Sequence, residues 1–268
     1  MLDRLSNEQL GKITLYERVL VYLFRKLTAG ITKSSFPNVL PFDLDDIRDA
    51  VHRAHRDQLI PRIIKNIPDI KYTFDARRHM PSEVEQCGPI TWLQVSKGSY
   101  KLQRTVRRNL LDLDTALMPS PTIEQIADQT PKFVTQLLGQ DEQATFTRVR
   151  NAGLINQVLG FQAWPIQGHH RTTVSYGQIE IDEVQAGLQG NKGCIVPISG
   201  KGGRDQLSWS QVLNLNTYGA EKPRVPNLAV RSIGLWKDAA GSVWIVEFSP
   251  ETDIDKIAIK QVRRFEFV

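Results

Sequence analysis

The sequence predicts an α/β fold (α+β, with a mixed sheet) in which a mainly helical N-terminal domain precedes a core of order αβββαβ. Three observations support this fold class. Apolar residues at helical spacing fill the first part of the chain, an alternating hairpin follows them, and the C-terminal half alternates between strand-like runs and helix-length segments. With 268 residues, the chain is long enough for two domains that each bury a core.

The N-terminal part contains three expected helices. A capping box that begins at Ser6 precedes an apolar helix over 9–28. A second helix is expected over 43–57, because its acidic residues come first and its basic residues last, as the helix dipole favours. A short third helix is expected around 60–67.

Residues 89–105 consist of two alternating runs joined by Ser-Lys-Gly-Ser, which predicts a β-hairpin. Helices followed by a basic hairpin are typical of a winged helix-turn-helix. In such a domain one helix enters the major groove, and Lys97 and Lys101 of the hairpin would reach phosphates. A small helical domain with an unrelated hairpin is the alternative interpretation.

The charge distribution separates two segments. Residues 53–108 contain twelve Lys or Arg and five Asp or Glu, a balance of +7 within a chain of net charge +5. Residues 109–145 contain six acids and one lysine, a balance of −5. The basic segment is therefore a candidate surface for a polyanion, although a solvated basic surface would give the same count.

A proline-rich stretch divides the two segments. Pro119, Pro121 and Pro131 indicate a linker. We therefore predict three regions: a winged-helix-like domain over 1–115, a linker with a connecting helix over 116–138, and a core domain over 139–268.

The C-terminal region has a regular alternation of expected elements. Helices are predicted over 132–138, 141–157 and 207–219, and strands over 170–175, 178–186, 194–199, 228–235, 243–248 and 262–267.

Acidic residues on the second of these strands suggest a site. Side chains alternate along a strand, so Glu180 and Asp182 share one face of 178–186, and Ser199 and Lys201 share one face of the next strand. If the two strands pair as a hairpin, these side chains converge. Carboxylate oxygens are the ligands that Mg²⁺ prefers. An antiparallel sheet with one polar, hydrated face is the alternative interpretation.

In element order and in these residues, the segment 139–250 resembles the catalytic core of the PD-(D/E)xK, or restriction-endonuclease-like, nuclease superfamily. The family's metal-binding acid corresponds to Asp182, and its catalytic lysine to Lys201 in the run SGK. The resemblance implies a Mg²⁺-dependent DNA endonuclease, of the type II restriction class, that hydrolyses double-stranded DNA at a specific site. Because both strands must be cut, a homodimer is expected.

Ser199 departs from the family pattern, which has an acid two residues before the lysine. The resemblance then requires other metal ligands. The candidates beside Asp182 are Glu180 or Glu183, a backbone carbonyl such as that of Gly200, and Glu142. The alternative is a nuclease-fold DNA-binding regulator that has lost catalysis.

Further polar residues are candidates for the site and for DNA contacts. Gln211 lies on the helix after Lys201, where it points to the site or is a surface residue. Arg148 and Arg150 serve either DNA phosphates or the acidic segment. The candidate DNA-binding residues are Arg77, Arg78, Lys97, Lys101, Arg104, His169, His170 and Arg171.

The remaining sequence features concern location and redox state. The N-terminus has no apolar signal-peptide core and no run is long and apolar enough to span a membrane, so a cytoplasmic protein without a membrane partner is expected. Cys87 and Cys194 are too few for a disulfide framework and have no spacing suited to zinc. No motif for an organic cofactor is apparent.

Overall fold

The computed structural model divides the chain into two compact units, with the division between Leu110 and Leu111. The residues that the structure describes are 2–111, 121–139, 141–203 and 205–268.

The first unit combines helices with a small sheet. Its elements are α1 (Asn7–Lys12), α2 (Leu15–Leu27), β1 (Val39–Asp43), α3 (Leu44–Arg56), α4 (Ile67–Ala76), β2 (Ile90–Ser96) and β3 (Ser99–Arg104).

Capping residues set the helix boundaries of the first unit. The predicted capping box at Ser6 is confirmed, but it begins only the short α1. Thr14 opens a second capping box, because its side chain accepts from the backbone N–H of Glu17 while the Glu17 carboxylate accepts from the backbone of Thr14. The single helix predicted over 9–28 is therefore two helices.

The three strands of the first unit form an antiparallel sheet of order β1-β3-β2. The predicted hairpin is confirmed as β2 and β3, whereas β1 was not predicted. Trp92 anchors the core beneath this sheet, with its ring 5.1 Å from that of Phe42 and 6.3 Å from that of Phe74. The prediction of a helix around 60–67 is wrong in position, since α4 begins at Ile67.

The second unit is built around a larger mixed sheet. Its elements are β4 (Ile123–Ile126), α5 (Lys132–Leu137), α6 (Glu142–Asn151), α7 (Leu154–Leu159), β5 (Ala163–Val174), β6 (Gly177–Gln189), β7 (Lys192–Lys201), α8 (Trp209–Glu221), β8 (Ala229–Val230), β9 (Ile233–Lys237), β10 (Val243–Phe248) and β11 (Ile259–Phe267).

Eight strands form this sheet in the order β4-β11-β10-β9-β7-β6-β5, with β8 beside β7. The neighbours β5, β6 and β7 are antiparallel, whereas β9 runs parallel to β7. Helices α6 and α7 pack on one face over Val196 and Ile198, and α8 packs over Ile181 and Ile195. The fold class of helices with a mixed sheet is thus confirmed.

Two predicted segments differ from the structure. Part of the expected linker 116–138 is β4, which pairs in parallel with β11 and so belongs to the second sheet, while Pro119 lies outside the described residues. The helix expected over 141–157 is broken at Gly153, whose φ of 64° is a left-handed conformation that glycine adopts readily.

Two further observations concern the cysteines and the helices. Cys87 and Cys194 are free thiols. Within the described ranges, no helix combines the length and the apolar character needed to cross a bilayer.

Candidate active site

The hairpin of β6 and β7 positions the candidate site. Its antiparallel pairing is confirmed by the register, in which Glu183 lies opposite Ile198 and Val184 opposite Pro197. One step further along both strands, Asp182 meets Ser199 and Gly200.

Asp182 is the centre of the hydrogen bonding at this end of the hairpin. Its Oδ2 accepts from Ser199 Oγ at 2.9 Å and from the Gly200 backbone N–H at 2.8 Å. The predicted convergence of Asp182 and Ser199 is thereby confirmed. Both donors bind the same oxygen, and Oδ1 has no hydrogen-bond donor among the residues that the structure describes.

Glu142 reaches the same place from α6. It follows the N-cap Asp141, whose side chain accepts from the backbone N–H of Ala144. A Cβ atom at Gly200 would lie 3.0 Å from Glu142 Cγ and 2.3 Å from the ring of Phe146. The absence of a side chain at Gly200 therefore allows α6 to pack on the end of β7, with Glu142 beside Asp182.

The electrostatics of Glu142 reflect this neighbourhood. Burial raises the pKa of Glu142 above its ordinary value, and the charges of Asp182 and Asp205 raise it further. Lys201 and His169 lower this pKa in part. Four ionisable groups, from β5, β6, β7 and the segment after β7, thus act on one carboxyl.

Lys201 ends β7 and is 7% exposed. In the parallel pairing with β9 it lies beside Trp236. Within the described part of the chain, no carboxylate forms an ion pair with its ammonium group. A buried ammonium without a partner is costly, and it is suited to a ligand that brings negative charge.

His169 lies opposite Asp182 on the neighbouring strand. The flanking pairs Gly168–Glu183 and His170–Ile181 fix this position. The φ of His169 is 45°, a left-handed conformation that is uncommon outside glycine. His169 is exposed, whereas the ring of His170 packs against Tyr218 at 5.4 Å.

Two of the predicted metal ligands are engaged elsewhere. Glu183 is buried and pairs with Arg150 at 2.8 Å, and its other oxygen accepts from the Gln185 amide. Glu180 is exposed and pairs with Arg171 at 3.2 Å. Asp182 and Glu142 are therefore the candidate ligands that the structure brings together.

Gln211 and Arg148 also have structural partners. Gln211 completes the capping box of α8, because its side chain accepts from the Ser208 backbone while its own backbone N–H donates to Ser208 Oγ. Arg148 pairs with Asp128 at 2.8 Å, so it contacts the acidic segment.

Two carboxylates of this group are of the chemical type that binds a magnesium ion. Mg²⁺ is commonly bound by one or two carboxylates, keeps several waters and takes oxygens from a phosphate substrate. Asp182 and Glu142 offer two carboxylates, and the charge of Asp182 adds to the effect of burial in raising the pKa of Glu142. No group of three His, Cys, Asp or Glu side chains suited to a metal ion occurs among the described residues.

The candidate DNA-binding residues of the first unit lie just after α4 and on the hairpin. The guanidinium of Arg77 lies 4.9 Å from the ring centre of Tyr72, and that of Arg78 lies 3.8 Å from the Glu17 carboxylate. Lys97 occupies the exposed turn between β2 and β3. Lys101 is half-buried on β3, and Arg104 is exposed at its end.

Two contributions to the site were not predicted. The Gly200 N–H binds Asp182, a backbone role that carries no side-chain signal. Asp205 raises the pKa of Glu142. Its position four residues after Lys201 was the sequence signal that could have placed it near the site.

Comparison with known proteins gives no match: neither a protein-family model, nor a curated protein, nor a solved structure matches the chain.

Proposed function

We propose that the chain is a Mg²⁺-dependent DNA endonuclease of the type II restriction class, with a PD-(D/E)xK core in its second unit. The observation that carries the proposal is the grouping of Asp182, Glu142 and Lys201 at one end of the β6–β7 hairpin. The order of α6, three antiparallel strands, α8 and the parallel strand β9 supports it, since this is the order expected for that superfamily.

The roles of the residues follow from their positions. Asp182 and Glu142 would hold Mg²⁺, which supplies Lewis-acid chemistry at a phosphate when bound. The Lys201 ammonium offsets the negative charge that develops as water adds to phosphorus. Its burial strengthens this interaction, because charges attract more strongly where water is excluded.

The first unit is proposed as the module that holds the duplex. The order α2, β1, α3, α4, β2, β3 and the sheet order β1-β3-β2 support a winged helix-turn-helix. In this arrangement Lys97 at the tip of the hairpin contacts phosphates. Cleavage of both strands requires two sites, so the active species is proposed to be a homodimer on DNA.

A second candidate is a catalytically inactive DNA-binding regulator with the same fold. Ser199 favours it, because a hydroxyl stands where the family has an acid and hydrogen-bonds to Asp182 instead of offering a second carboxylate.

Plasmid cleavage with Mg²⁺ distinguishes the two candidates. The informative variants are Asp182→Asn and Lys201→Met, and Glu180→Gln is the control, because Glu180 lies on the same strand but is exposed and paired with Arg171. For the nuclease, both variants lose cleavage by roughly a hundredfold or more while the control cleaves like wild type. DNA binding that weakens with salt, without cleavage by any of the proteins, identifies the regulator. Full cleavage by Asp182→Asn rejects the proposed site.

A further inference from the structure

A cavity of about 270 Å³ lies in the second unit between α6, α7 and β5. Ile155 and Pro165 form apolar parts of its wall, and Arg150, Asn156 and Gln185 add polar groups. Trp164 also lines it and is 56% exposed, although a large indole is usually buried in a soluble domain.

Gln185 is the unusual residue of this cavity. Its side chain is 2% exposed, and its amide N–H donates to the Glu183 carboxylate. The Arg150–Glu183 pair fixes that carboxylate, and therefore fixes which end of the amide faces it. The opposite end, Oε1, is buried without a hydrogen-bond donor among the described residues. Buried polar atoms are nearly always hydrogen-bonded, so this acceptor calls for a donor that the described residues do not supply.

We infer that this cavity binds a nucleobase, with Trp164 stacking on the ring and Gln185 Oε1 accepting from an amino group of the base. A planar heterocycle that carries an N–H donor satisfies both features at once, because every base offers a face for stacking and an edge for hydrogen bonding. The cavity is below the usual size of a drug-sized site and suits one small ring system.

The position of the cavity relates it to the candidate active site. Gln185 is three residues from Asp182 along β6, about 10 Å at the rise of a strand. Arg150 is eight residues from Glu142 along α6, about 12 Å at the rise of a helix. If the proposed nuclease function holds, the base therefore belongs to a nucleotide extruded from the duplex near the cleaved phosphate; a free nucleoside is the other source of the same chemistry.

Calorimetric titration of the full chain with adenosine and with purine riboside tests the inference. The two nucleosides have the same ring, but purine riboside lacks the amino group. We expect adenosine to bind about tenfold more tightly to the wild type, and this preference to disappear in Gln185→Met. Trp164→Ala is expected to weaken both by about tenfold. Ile166→Ala is the matched control, since Ile166 is an exposed residue of β5 that does not line the cavity.

Equal binding of the two nucleosides, or no binding of either to a folded wild type, overturns the inference. A short duplex that carries 2-aminopurine identifies the source of the base. A change in 2-aminopurine fluorescence on protein binding that differs between wild type and Trp164→Ala indicates an extruded nucleotide, because an indole stacked on the base quenches it. An unchanged signal with nucleoside binding retained indicates a free nucleoside. Nucleoside binding does not require cleavage, so it can succeed where the plasmid assay fails, and cleavage without nucleoside binding removes only this inference.

Discussion

Ser199 Oγ lies 2.9 Å from Asp182 Oδ2 and donates a hydrogen bond to it, across the pair of strands that forms the candidate site. The Gly200 N–H donates to the same oxygen. The two donors fix the orientation of the carboxylate and leave Oδ1 free of donors within the described part of the chain. Ser199 thus orients the Asp182 carboxylate and does not supply a second carboxylate.

The first prediction concerns the replacement of this serine by an acid. Ser199→Glu places a second carboxylate against Asp182, so like-charge repulsion should destabilise the protein by about 1–3 kcal/mol without metal. A divalent cation bound by both carboxylates should restore the lost stability. Thermal unfolding with Mg²⁺ and with a chelator measures both effects.

Ser199→Gln is the control for this prediction, because it has the size of glutamate without the charge. Mg²⁺ should raise its unfolding temperature by the same amount as it raises that of wild type. A Ser199→Glu protein that gains no more from Mg²⁺ than Ser199→Gln would contradict a metal site at Asp182.

The second prediction is a pH dependence that arises from Glu142. Burial, and then the charge of Asp182, raise its pKa, so the folded protein keeps a proton on Glu142 at pH values where the unfolded chain has lost it. Stability from this group is present below the ordinary glutamate pKa of about 4.3 and is lost as pH rises through the higher folded value.

Glu142→Gln is neutral at every pH and should escape this loss. Its unfolding temperature should equal that of wild type at about pH 4 and exceed it near neutrality. In parallel, Mg²⁺ should raise the unfolding temperature of wild type but not of the variant. Identical pH profiles for the two proteins would show that Glu142 is not in the environment described.

Much of the fold could be predicted because its signals are local. The capping box at Ser6, the turn at Lys97 and the alternation along β6 depend on neighbouring residues. β1 and β4 escaped prediction because each is a short strand whose pairing depends on a distant one, β3 or β11. The length of β5 was also missed, since Pro165 and Gly168 lower its strand propensity.

Part of the site was predictable from strand parity, the alternation of side chains between the two faces of a strand. Parity brought Asp182 and Ser199 together correctly. It could not predict that Arg150 forms an ion pair with Glu183, because that contact depends on how α6 packs over the sheet. Nor could it predict the cap formed by Gln211. The spacing from Ser208 to Gln211 is a helix-start signal, whereas Gln211 was a candidate residue of the site.

The third prediction concerns the buried carboxylate of Glu183. Arg150→Ala leaves this charge without its partner, at a cost of about 2–3 kcal/mol after allowance for the partial exposure of Arg150. Arg171→Ala removes a similar contact from an exposed pair and should cost less than about 0.5 kcal/mol. Urea denaturation of both variants makes the comparison. Equal losses of stability in the two variants would mean that the burial of Glu183 does not determine the cost of removing its partner.

The fourth prediction tests the first unit as a DNA-binding module. Lys97→Ala removes one phosphate contact, so binding to any duplex should weaken, and the slope of log affinity against log salt should fall by about one. Lys12→Ala is the control, because Lys12 is exposed on α1 and already paired with Glu8. Binding isotherms at several salt concentrations measure the slope. An unchanged slope for Lys97→Ala would remove the hairpin from the interface.

The fifth prediction separates a cap from a catalytic role at Gln211. Because its side chain and backbone complete the capping box with Ser208, Gln211→Ala should cost about 0.5–1 kcal/mol of stability. Gln211→Glu retains the acceptor that the cap needs and should unfold like wild type. Because the cap, and not the reaction, needs this residue, both variants should cleave plasmid DNA at the wild-type rate well below their unfolding temperatures. Loss of cleavage in Gln211→Glu with stability unchanged would instead place the amide group in the reaction.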